Sequence, residues 1–268
     1  LIPGARYIYL GDTARLPYGS KSRETIARYA VSSARFLHEQ GADLLVIACN
    51  TATALALKDI QQALPIPVIG VVEPGAQAAL TASRVPHVRD GLIVDNVGEP
   101  PPISPQAQVL VLATIATVQS HAYTRALNVL NLEAHEKACP LLVPLVEEGW
   151  INHPVTDEVL RIYLTEALAQ APATSTLLLG CTHYPLLEPA IRRTLASIHH
   201  PLTIIDSAEA TARAVAAHLG LPPQSSKLIA QSSQCTFYAT DSVEKFQHLG
   251  SSFLGQPVAQ VNLIDLGG

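Results

Sequence analysis

The sequence predicts an α/β protein of two pseudo-symmetric domains, each a mainly parallel sheet flanked by helices, with the active site in the cleft between them. Three observations predict it. Apolar runs of strand length alternate with stretches of helical spacing, the pattern of a parallel sheet covered by helices. The 268 residues suffice for roughly two domains of about 150 residues each. A short motif, an apolar strand ending in a small residue, a cysteine and two hydrogen-bonding residues, occurs twice, at Asp43–Thr51 and at Ser175–His183.

The strands are placed at Tyr7–Leu10, Leu44–Ala48, Val68–Val71, Val109–Ala113, Thr176–Leu179 and Leu202–Ile205. Between the first two, Ile26, Tyr29, Ala30, Phe36 and Leu37 fall at helical spacing within Ser22–Gln40, and Gly41 stands where the helix should end. The rhythm breaks between Pro86 and Gln106, where Pro86, Pro100, Pro101, Pro102 and Pro105 favour extended or irregular chain. The expected domains are therefore residues 1–85 with 206–268, then a Pro-rich insertion or linker at 86–105, then a second α/β domain at 106–205. The chain contains no methionine and opens on Leu1. That predicts a lost start or a non-standard start codon, with N-terminal structure missing ahead of Tyr7.

Composition removes several classes of function. The chain is 48% apolar and 15% charged, against roughly 25% charged in an average soluble domain, which excludes disorder. A net charge of −5 offers no basic field for a phosphate backbone, so no direct nucleic-acid partner is expected. Interrupted apolar runs such as Gln108–Val118 fall short of the roughly 20 residues of a membrane span, and the opening lacks a signal peptide's pattern. Four cysteines, Cys49, Cys139, Cys181 and Cys235, are too sparse for a disulfide framework, which points to a reducing, cytoplasmic setting.

The chemistry is expected at Cys49 and Cys181. A residue at the carboxyl end of a parallel strand, just before a helix, sits where open α/β sheets bind ligands and where helix amides favour anions and thiolates. Two such cysteines, one from each half, would flank a small ligand. One, as thiolate, would remove a proton, and the other, as thiol, would deliver one to the opposite face, inverting a carbon centre. Either cysteine alone reads equally well as a small packed hydrophobe; the matched pair with polar neighbours favours function. Cys139 and Cys235 lack that context and read as core or surface.

His183 could orient a substrate or tune the thiol, or be a satisfied structural residue. Glu147 and Glu148 could partner a thiol or begin a solvated helix. The loop Asp12–Ser20, rich in donors, could bind a ligand or simply turn. His199 and His200 lack zinc-site spacing, so no metal is assigned.

The residues Tyr9-Leu-Gly-Asp12-Thr-Ala-Arg-Leu-Pro17-Tyr18-Gly19, Ala48-Cys49-Asn50-Thr51-Ala52, Val143-Pro-Leu-Val-Glu147-Glu-Gly and Leu179-Gly-Cys181-Thr182-His183-Tyr-Pro-Leu186 resemble the glutamate racemase family in its own order. The resemblance continues through Ile205–Ala208 and Phe237–Asp241. It implies interconversion of L- and D-glutamate without pyridoxal phosphate, metal or other cofactor, supplying D-glutamate for peptidoglycan. It further implies that Cys49 deprotonates the D-isomer and Cys181 the L-isomer. By the same resemblance, Tyr18, Gly19, Asn50, Thr51, Thr182 and His183 hold the substrate, and Asp12, Glu147 and His183 assist the thiols. Thr117 and Ser120 resemble a further segment near the cleft. Homodimerisation is left open.

Family members begin with a strand ending in Asp-Ser-Gly, which this sequence lacks. Losing a transition-state contact costs on the order of a hundredfold in rate. The 268-residue chain is therefore expected to be weak or inactive, and the full gene product active. Aspartate or a hydantoin is the competing substrate, although His183, in place of an acidic residue after Cys181-Thr182, points to glutamate. The other class of reading is a catalytically impaired binding protein.

Overall fold

The computed structural model describes residues 2, 5–84, 88–89, 92–93, 107–221 and 235–267. The chain divides into two compact units, Leu1–Val71 with Thr211–Gly268, and Val72–Ala210. In each, parallel strands are flanked by helices, as the alternation of apolar periods predicts.

In the first unit, β1 (Tyr7–Gly11), β10 (Cys235–Ala239) and β11 (Val261–Leu263) form one parallel sheet, and β2 (Leu45–Ile47) pairs in parallel with β3 (Val68–Gly70). Helix α1 (Arg23–Glu39) starts where Ser22 Oγ accepts from Thr25 N at 3.3 Å, satisfying an amide that no helical carbonyl reaches. It ends before Gly41, whose φ of +86° suits a residue without a Cβ. Ile26, Ala30 and Ala34, one helical turn apart, form its buried stripe. That stripe shares a core with Ala52, Ala56 and Ile60 of α2 (Asn50–Ala63). Small side chains on both faces let the two backbones approach closely.

The second unit is built on a four-stranded parallel sheet in the order β7 (Glu133–Ala138), β6 (Gln108–Ala113), β8 (Thr174–Gly180), β9 (Thr203–Asp206). Successive side chains of a strand point to opposite faces, and here both faces are covered. Leu110, Leu112, Leu177 and Leu179 pack in one core with α6 (Leu142–Glu147), α7 (Pro154–Gln170) and α8 (Glu188–Ser197). Val109, Val111, Ala113 and Leu178 pack in the other with α3 (Val72–Ala82) and α5 (Ala122–Val129). Central strands buried on both sides read as continuous apolar runs, which is why the sequence locates them well.

Three strands of these sheets lie outside that reading. The polar β7 is an edge strand that opens on the exposed Glu133. β10 and β11 are short and only partly buried.

The division also falls elsewhere than the sequence places it, at Val71 and Ala210 rather than at residues 85 and 205. Val72, Ala76, Ala79 and Leu80 of α3 complete the second unit's core, so α3 belongs there. The expected insertion at 86–105 lies outside the described residues apart from the backbone of β4 (Val88–Arg89) and β5 (Leu92–Ile93), which pair antiparallel. No described helix is long and apolar enough to cross a membrane.

Candidate active site

Both singled-out cysteines stand at the carboxyl end of a parallel strand. In the first unit Cys49 follows β2 and caps α2, its sulfur accepting from Ala52 N at 3.5 Å. Asn50 and Thr51 open the helix and are buried. Burial pushes the Cys49 thiol up, and hydrogen bonds from Ala52 and Thr51 only partly offset this. Position at a helix N-terminus therefore does not by itself make this group a thiolate: desolvation outweighs the amides, contrary to the expectation from sequence.

The loop after β1 supplies Asp12, Tyr18 and Gly19. The Asp12 carboxylate accepts from Arg15 Nε at 2.8 Å, from Thr240 Oγ1 at 3.0 Å and from the Tyr18 hydroxyl. Its acceptor capacity is largely engaged, and Arg15 is itself buried. Burial and the Asp12 carboxylate push the Tyr18 hydroxyl well up, so it remains a donor. Tyr18 and Gly19 lie in a single helical turn, Tyr18–Ser20, and Tyr18 packs on the same core as Cys49. Arg15 and Thr240 are the members of this cluster that sequence reasoning leaves without a role. The chain brings Thr240 in from the end of β10, and no local signal links it to Asp12.

In the second unit Cys181 follows β8 and is 6% exposed. Its sulfur lies 3.9 Å from His183 Nδ1, and Thr182 Oγ1 lies 3.4 Å from the same nitrogen. His183 Nε2 stands 3.3 Å from Glu147 Oε1. A carboxylate can only accept, so Nε2 carries the hydrogen and Nδ1 of the neutral ring is an acceptor facing the thiol. Burial holds His183 below its usual range, and Glu147 opposes this only in part. The neutral ring is therefore the resting form at neutral pH. The arrangement follows the logic of an activated nucleophile: thiol, base, and a carboxylate that orients the base.

Thr117 and Ser120 lie on α4 (Ile115–Ser120), which follows β6. Because Ala113 of β6 pairs with Gly180 of β8, α4 starts beside Cys181. Thr114 caps it, accepting from Thr117 N at 3.3 Å and standing 3.0 Å from Thr117 Oγ1. Thr117 is fully buried, and Ser120 Oγ donates back to Thr117 O at 2.5 Å. Of the remaining cysteines, Cys139 is buried and its thiol is pushed up to about 12 by burial, while Cys235 is exposed.

The expected residues thus divide between the two units: Asp12, Tyr18, Gly19, Cys49, Asn50 and Thr51 lie in the first, and Thr117, Ser120, Glu147, Cys181, Thr182 and His183 in the second. Among the described residues no group of three or more His, Cys, Asp or Glu side chains is arranged to hold a metal ion.

Comparison with known proteins bears on which chemistry this is. The pattern of the Asp/Glu/Hydantoin racemase family matches residues 1–92. A glutamate racemase of Koribacter versatilis is 46% identical over 289 aligned positions, covering 100% of this chain and 91% of its own. Among solved structures, glutamate racemase RacE1 of Bacillus anthracis is similar with a TM-score of 0.77 at 33% identity, covering 98% of this chain and 89% of its own. The glutamate racemase of Francisella tularensis, solved in complex with D-glutamate, gives 0.76 at 31% identity, with 98% and 89% covered. With such identity over the whole length, and a matching α/β architecture, the chain belongs to the glutamate racemase family.

Proposed function

We propose that this protein interconverts L- and D-glutamate by removing the α-proton to one cysteine and delivering another proton from a second cysteine on the opposite face of the substrate. The observation that carries the reading is the twin placement of Cys49 and Cys181, each at the carboxyl end of a parallel strand with hydrogen-bonding residues directly after it. Relatives named as glutamate racemases, one of them solved with D-glutamate, support the substrate.

In this reading Cys49, as thiolate, removes the α-proton of D-glutamate, and Cys181, as thiol, protonates the resulting carbanion from the other side. In the reverse direction the Cys181 thiolate removes the α-proton of L-glutamate and the Cys49 thiol protonates the carbanion, leaving Cys49 as the thiolate. Each turnover leaves the thiol and thiolate exchanged, so proton transfer with solvent resets them. His183, oriented by Glu147, takes the Cys181 proton. Amides at the start of α2, with Asn50 and Thr51, suit a carboxylate, and Tyr18, Gly19, Thr182, Thr117 and Ser120 complete the polar lining. Asp12 acts by fixing Tyr18, since three donors already engage it. The product fits a supply of D-glutamate to peptidoglycan.

The test is polarimetric. Protein incubated in turn with L-glutamate, L-aspartate and a 5-substituted hydantoin should abolish the rotation of glutamate fastest. Faster loss of rotation with either alternative contradicts the assignment.

A further inference from the structure

Behind Cys181 lies a buried polar chain that the reaction just described leaves unused. Ser207, the first residue of α9 (Ser207–His218), is 5% exposed, and its Oγ donates to the carbonyl of Leu179 at 3.2 Å. That carbonyl lies on β8, two residues before the thiol. The Tyr123 side chain is fully buried and hydrogen-bonds to Ser207. A carbonyl can only accept, so Ser207 Oγ donates to Leu179 O, and the Tyr123 phenol adjoins the same hydroxyl. Tyr123, Ser207 and the Leu179 carbonyl thus form one continuous buried chain.

Sterics bind the same chain to Gly180. A Cβ there would stand 2.9 Å from Leu112 O and 3.0 Å from Tyr123 Cε2, so the ring presses directly on the residue preceding Cys181. From the other side, a Cβ on Gly75 of α3 would meet Ser207 Cβ at 3.4 Å and the Tyr123 hydroxyl at 3.5 Å. Those contacts close the network off. Its electrostatic reach is evident as well, since a charge on Cys181 disfavours ionisation of Tyr123.

We infer that Tyr123 and Ser207 are positioning residues for Cys181, fixing the last two peptides of β8 so that the sulfur meets the substrate's α-carbon. The inference rests on the two-cysteine reading above. Enantiomers have an equilibrium constant of one, so any loss in kcat/KM must be equal in the two directions, and rates alone cannot locate the damage. Isotope effects can. A displaced Cys181 makes proton transfer at that sulfur more rate-limiting and transfer at Cys49 less so.

The experiment compares α-deuterated L- and D-glutamate with Ser207→Ala and with Tyr123→Phe, which keeps the ring against Gly180. Ser207→Ala should lower kcat/KM about tenfold, the worth of a buried hydrogen bond, with Tyr123→Phe weaker. In both, the isotope effect on L-glutamate should rise while that on D-glutamate falls toward one. Unchanged rates, or falls in rate with isotope effects that stay as they were or move together, overturn the inference. If Ser207→Ala does not fold, Tyr123→Phe decides by the same criterion. Racemisation retained by both Cys49→Ser and Cys181→Ser refutes the two-cysteine reading itself, and so is distinct from failure of the positioning role.

Discussion

His183 shows how one side chain is set by opposing forces. Burial favours the neutral ring, Glu147 favours the charged one, and burial prevails. The neutral ring, with Nε2 committed to Glu147, presents a lone pair to Cys181. Replacing it by asparagine removes the base but keeps a polar group, and initial rates of racemisation should fall on the order of a hundredfold. The same balance predicts a dependence of stability on pH. A histidine whose folded pKa lies below its unfolded value of 6.5 binds more protons when unfolded. Its contribution is fully present above pH 6.5 and declines as pH falls from there toward the folded pKa. Urea midpoints at pH 7.5 and 5.5 should therefore lie closer together in His183→Asn than in the unsubstituted protein. An equal or larger separation counts against a buried neutral ring.

At the scale of elements, β6 and β8 carry the second unit. Leu178 is fully buried and faces α3 and α5, while its neighbours Leu177 and Leu179 face the opposite core. Leu178→Ala removes a packed side chain that neither helix can easily replace, and should cost about 2–5 kcal/mol. Denaturant unfolding measures it; a cost below about 1 kcal/mol would contradict the packing. These strands were legible because both faces demand apolar residues, and α1 because Ser22 and Gly41 punctuate it. The edge strand β7 was not, since Glu133, His135, Glu136 and Lys137 carry no apolar period. The cysteines were readable from their repeated setting. The Thr240 contact with Asp12 and the Ser207 contact with Leu179 were not, because tertiary folding brings those partners together from distant parts of the sequence.

For the molecule as a whole, the account requires that Cys49 and Cys181 both act in each turnover. Cys49→Ser and Cys181→Ser should each reduce racemisation by about a thousandfold or more, since a serine hydroxyl is a far poorer acid and base than a thiol. An equimolar mixture of the two variants should remain as inactive as either alone. Recovery of activity on mixing would mean that the two sulfurs serve a substrate from different chains.

The most direct measurement is solvent exchange at the glutamate α-carbon, followed by proton NMR in deuterated water. The unsubstituted protein should wash out the α-proton of both isomers as it racemises them, and neither Cys49→Ser nor Cys181→Ser should sustain racemisation. Retention of the original α-proton in the inverted product, or full racemisation by either variant, would contradict removal of the proton by one cysteine and delivery of another by the second.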